Sequence, residues 1–238
     1  MRILFLVLIP LWINFSSARA DLLDDAIQAH RAGIPEVSIT KLRQFLASQP
    51  AQDRAEAAKL LLARCFIETK KAQEATEVLE SVTGPEATFL KAQEALRSKR
   101  WQEAADWFAN LIETSSRFSV EARLGLADSQ KALGESKAAL KTLQPLIADD
   151  RTADPRAELL AAEIYLGESN NLEAETLLSR VKANSRKTEL EKLCLHGELA
   201  LKEGKLTDAA HAFNKVLAEP EEAVGADAVD GRRNARHD

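Results

Sequence analysis

Apolar residues along this chain recur at helical spacing and then stop at short polar turns. In residues 89–112, Phe89, Ala92 and Leu96 share one face, and "RSKRW" interrupts the pattern. Ala104, Trp107, Phe108, Leu111 and Ile112 then follow the i, i+3, i+4, i+7, i+8 rule of an amphipathic helix. Two helices joined by a turn are therefore predicted, and the same unit returns downstream. Ala92, Ala127, Ala162 and Gly197 are each 35 residues apart. So are Ala104, Ala139, Ala174 and Ala209, the bulky set Phe108, Leu143, Leu178 and Phe213, and the apolar set Leu111, Leu146, Val181 and Val216. One alanine column carries little weight in an alanine-rich chain; four columns in register define a repeat.

Two less regular copies precede these four. Ala63, Ala75, Leu79 and Val82 mark one, and Ala26, Ser38, Leu42 and Phe45 the other, separated by the loop-like "ASQPAQDRAE". In "VTGPEA" Gly84 suits a helix C-terminus and Pro85 a first helical turn. Gly33, Gly134, Gly167 and Gly204 fall in or beside the turns between paired helices. The small columns have a mechanical purpose, because two helices approach to the short end of the usual packing distance only over Gly, Ala or Ser. Pro145 removes one hydrogen bond near the end of its helix and is predicted to bend or shorten the last turn.

The pattern resembles the tetratricopeptide repeat family over residues 21–218, in degenerate form. The family's small, alanine and bulky positions fall on the columns above. Its first-helix aromatic is matched by Phe66 and Tyr165, with Ala95 and Ala200 elsewhere. Its closing proline is matched by Pro50 and, one residue early, by Pro220. The resemblance implies an all-α, right-handed superhelical solenoid of about six helix-turn-helix repeats. It also implies a groove lined by the first helices. The residues following the small column then face that groove, namely Arg64, Gln93, Asp128, Glu163 and Glu198, with Arg97, Lys131 and Lys202 one turn further on. The lysine and asparagine set with which chaperone-binding relatives grip a terminal carboxylate is missing from these positions. Asp128, Glu163 and Glu198 instead form an acidic row at the 35-residue step, suited to a basic or amine-bearing peptide, with Lys131 and Lys202 partly cancelling it.

Both ends of the chain differ from the repeats. Arg2 precedes an apolar run from Ile3 to Ile13, a polar break follows, and Ala18-Arg19-Ala20 has the form of a signal-peptidase site. The run is shorter than the roughly 20 residues of a spanning helix. Residues 1–20 are therefore expected to be a signal peptide, with export to a bacterial periplasm; secretion or an N-terminal anchor are the alternatives. No membrane span is expected after cleavage. Residues 219–238, charged and poor in bulky apolar side chains, are expected to be a disordered tail. That would leave the last hairpin uncapped and open to self-association.

Charge and chemistry narrow the function. Loss of Arg2 and Arg19 moves the formal charge from −5 to −7, which gives no electrostatic case for nucleic acid. Cys65 and Cys194 are too few for a disulfide scaffold and, four repeats apart in a solenoid, too distant to pair. Cys194 and His196 sit at i and i+2 and point apart on a helix, and His30, His211 and His237 are scattered. No metal site, cofactor motif or catalytic constellation is found: HExxH, GxSxG, GxxxxGK[ST] and GxGxxG are all missing. Asp24-Asp25 and Asp149-Asp150 read as exposed, solvated helix ends or turns. The expected function is that of a non-enzymatic scaffold in an envelope-associated complex, holding a segment of a protein partner in its groove; the alternative is a self-associating structural array.

Overall fold

The computed structural model describes residues 15–218, with side chains from residue 22 onward. The expected signal segment lies mostly outside the described residues, and the expected tail lies wholly outside them. The described residues form twelve α-helices and no strand. In chain order they make six helix–turn–helix units: α1 (Phe15–Arg31) then α2 (Pro35–Ala47), α3 (Gln52–Glu68) then α4 (Ala72–Glu80), α5 (Pro85–Arg97) then α6 (Trp101–Thr114), α7 (Ser119–Ala132) then α8 (Ser136–Ile147), α9 (Pro155–Gly167) then α10 (Asn171–Arg180), and α11 (Arg186–Lys202) then α12 (Leu206–Leu217). Two compact units divide between Glu94 and Ala95, inside α5.

Every turn within a hairpin is built the same way. Gly33, Lys70, Lys99, Gly134, Ser169 and Gly204 stand two residues beyond their helices with φ between +58° and +79°. The amide after each of them donates to the carbonyl five residues back: Ile34 to Ala29, Lys71 to Phe66, Arg100 to Ala95, Glu135 to Gln130, Asn170 to Tyr165 and Lys205 to Ala200, at 2.8–3.0 Å. This is the Schellman closure of a helix. Gly167, expected in or beside a turn, is the last residue of α9, and Ser169 takes the left-handed position. Gly84, expected at a helix end, stands directly before Pro85 with φ +100°.

The first unit packs α1 on α2, α2 on α3 and α3 on α4, with α1 also touching α3. Ala26, Leu42, Phe45, Ala63, Ala75 and Leu79 fill its core. Arg43 lies over the Phe66 ring and Arg54 over the Phe45 ring, so α2 and α3 clasp each other through two cation–π contacts. Asp25 with Lys41, His30 with Glu68, and Arg64 with Glu86 add polar links.

In the second unit each helix from α6 onward packs on the next, and α9 touches both α7 and α11. Ala127, Ala162, Ala139, Ala174, Leu143 and Leu178 are fully buried, as the repeat requires. Gly125 was not singled out by the sequence, yet a Cβ there would collide with the Phe108 ring of α6. At Gly197 a Cβ would stand 2.6 Å from Cε1 of Phe213. The α8 helix ends two residues after Pro145. Asp154 caps α9 by accepting from the Arg156 amide at 2.9 Å, and Ser185 with Thr188 forms a capping box on α11.

Candidate functional site: a charged row on the first helices of the second unit

The register places the residue after each buried small position on the rim of its helix. Asp128 on α7, Glu163 on α9 and Glu198 on α11 follow Ala127, Ala162 and Gly197 in this way. Because α9 touches both α7 and α11, the three carboxylates form a row rather than three isolated charges. Lys131 projects one turn beyond Asp128 and crosses to the next hairpin. Its Nζ donates to both carboxylate oxygens of Glu163 at 2.9 Å and lies 3.1 Å from Oδ1 of Asp128. Burial disfavours its charge, but Glu163 and Asp128 outweigh that and hold the ammonium pKa above its ordinary value.

Glu198 differs from its neighbours. It makes no ion pair among the described residues, and its carboxyl is pushed up, first by burial and then by the charge on Glu163; Lys202 and Lys131 oppose the shift. Glu198 is exposed, yet desolvation by neighbouring atoms is the largest cause of the shift. A side chain open to water on one side and crowded on the others has that combination.

Of the groove residues expected from the sequence, Asp128, Lys131, Glu163 and Glu198 are brought together. Arg97 is exposed in the last turn of α5, at the start of the second unit. Arg64 and Gln93 belong to the first unit, where Arg64 is paired with Glu86 at 3.2 Å.

A second cluster was not legible in the sequence. The Glu158 side chain on α9 is 4 % exposed and meets Nη2 of Arg180 at 3.2 Å. The same nitrogen reaches Asp150 at 2.8 Å and the Ile147 carbonyl at 3.0 Å. Burial raises the Glu158 pKa, with Arg180 opposing. Asp150, read from the sequence as an exposed helix end or turn, lies in the loop between α8 and α9 and helps fasten it. No helical position pattern could have matched Glu158 with a partner 22 residues away.

Cys65 is a buried thiol whose pKa burial raises, and Cys194 is a half-buried thiol. No group of three potential metal ligands occurs among the described residues, and no described helix is long and apolar enough to cross a membrane.

The helical pairs, their 35-residue step and the buried small columns meet their counterpart in a family model described as tetratricopeptide repeat, which matches residues 95–164. Residues 95–164 are tetratricopeptide repeats. Solved structures extend the likeness in fold. The pilF protein of Pseudomonas aeruginosa superposes with a TM-score of 0.63 at 16 % identity, covering 84 % of this chain and 90 % of its own. A tetratricopeptide repeat protein from Parabacteroides merdae gives 0.54 at 15 % identity, covering 92 % and 97 %. A thermophilic TPR protein of Thermus thermophilus gives 0.54 at 15 % identity, covering 84 % and 100 %. No curated protein matches the chain by sequence. The tetratricopeptide fold is that of a protein–protein interaction scaffold, generally without catalysis of its own.

Proposed function

We propose that this tetratricopeptide protein is an exported scaffold of an envelope-associated complex, and that its second unit holds a basic segment of a partner along α7, α9 and α11. Glu198 is the observation that carries this reading. It is a carboxylate without an ion pair, crowded by protein and set beside the charge of Glu163. An ammonium or guanidinium brought to that place relieves the repulsion between Glu198 and Glu163. Lys131, seated between Asp128 and Glu163, shows the geometry such a cation can adopt in this row. Part of the interaction is desolvated, and there a charge-assisted hydrogen bond is about twice as strong as a neutral one.

Reversing Asp128, Glu163 and Glu198 to lysine together tests the reading. Cross-linked partners recovered from the native compartment are expected to disappear, while the helical circular dichroism persists. An unchanged set of partners overturns it. Export is tested separately, by fractionation and N-terminal sequencing of the mature chain. A chain beginning at Asp21 outside the cytoplasm is expected, and a cytoplasmic chain that retains Met1 refutes it.

A further inference from the structure

Asp128, Glu163 and Glu198 hold the same register position in three successive hairpins, yet among the described residues only the first two are supplied with a cation. Lys131 stands 32 residues before Glu163 and bridges to it from the preceding hairpin. The position at the same distance before Glu198 is Leu166, an apolar side chain that is 1 % exposed. The position at that distance before Asp128 is Leu96, but Asp128 shares Lys131 from one turn away on α7, at 3.1 Å. The repeat therefore delivers one bridging lysine to the row, at its Asp128–Glu163 end.

An ammonium carries three N–H donors. Those of Lys131 face both oxygens of Glu163, each at 2.9 Å, and Oδ1 of Asp128. A cation arriving from solution takes these oxygens only by displacing Lys131, and exchanging one partly exposed ion pair for another gains little in water. Lys131 also holds the advantage of a tethered group, whose effective concentration beside its acceptors is high. At Glu198 nothing has to be displaced. Lys202, one turn further along α11, is exposed and acts on Glu198 through its charge without an ion pair among the described residues. The row still attracts cations from a distance, because three carboxylates outnumber one ammonium; what Lys131 removes is contact.

Resting on the reading that this row holds a basic segment, we propose that Lys131 is its specificity-determining residue. It closes Asp128 and Glu163 to outside cations, so that the partner's segment is held through one lysine or arginine side chain, at Glu198, and not through a polybasic run.

Two probes test this against the full chain with isotope-labelled carboxylates followed by NMR: N-acetyl-arginine amide, with a single cation, and the acetylated, amidated arginine tripeptide. In wild type each probe is expected to move the Glu198 carboxyl resonance saturably and to leave Asp128 and Glu163 nearly still, with little gained by the tripeptide over the single residue. In Lys131→Met all three resonances are expected to move. The tripeptide is then expected to bind about tenfold more tightly than to wild type, through an added charge-assisted contact. Circular dichroism checks that the variant is folded, and the wild-type titration reads the proposal without it. Equal movement of Asp128, Glu163 and Glu198 in wild type, or a Lys131→Met protein that binds the tripeptide no more tightly, overturns the proposal and leaves the row a cation site. Should neither probe move any of the three resonances in either protein, the row holds no basic segment and both readings fall.

Discussion

Gly125→Ala tests how tightly the repeats nest. In an exposed helix interior this change stabilises by about 1 kcal/mol, because glycine loses more backbone freedom on folding. Here the added methyl would intrude on Cζ and Cε2 of Phe108, a ring that is itself only 2 % exposed and has little room to retreat. Overpacking a core costs about 1–3 kcal/mol. The two effects oppose, and the net expectation is a loss of up to about 2 kcal/mol, from the same magnitudes. The same two register positions downstream hold Leu143 with Leu160 and Leu178 with Leu195, so a smaller residue at 108 makes room for a larger one at 125. Phe108→Leu alone removes ring atoms and destabilises; combined with Gly125→Ala it is expected to recover part of the loss. A double-mutant cycle from urea melts of the four proteins would then give a coupling of about 1 kcal/mol or more in favour of the pair. Additivity within about 0.5 kcal/mol, together with a Gly125→Ala protein more stable than wild type, would refute the close packing. Gly197→Ala is the internal control: Phe213 is half-exposed and free to swing, so the clash there is cheaper to relieve.

Four further outcomes are expected. Lys99→Gly and Ser169→Gly place glycine at left-handed turn positions and each raise stability by up to roughly 1 kcal/mol in thermal melts. Asp154→Ala removes the α9 cap and costs about 1 kcal/mol. Hydrogen bonding from Arg156 lowers the Asp154 pKa, so its contribution is present above the ordinary carboxylate range and lost as pH falls through the lowered value; melts of wild type and variant should converge in acid. Arg180→Ala leaves the buried Glu158 uncompensated and costs about 3 kcal/mol, whereas adding Glu158→Gln restores most of it, as paired urea melts would read out. The folded pKa of Glu198 is raised, so its protonation favours the fold; wild type should gain stability relative to Glu198→Gln as pH drops from neutral into the range just above ordinary carboxylates. Binding of a basic partner should weaken over the same interval.

The sequence by itself determined the helical class, the six hairpins, the 35-residue step and the buried identity of Ala92, Ala127, Ala162 and Gly197, because burial recurs with the period of the structure that buries it. It also placed Asp128, Glu163 and Glu198 in one row, since equal offsets in stacked hairpins face one way. It missed Gly125 because glycine there answers to one ring on another helix and not to the repeat. It set Gly167 in or beside the turn, where the glycine ends α9, but did not mark Ser169 for the left-handed position, because hydrogen-bond geometry and not composition decides it. Only the tertiary structure joined Arg180 to Glu158 and Asp150 and seated Lys131 between two hairpins. Each of these depends on which surfaces meet across space, and spacing along a chain carries that information only where the repeat is regular.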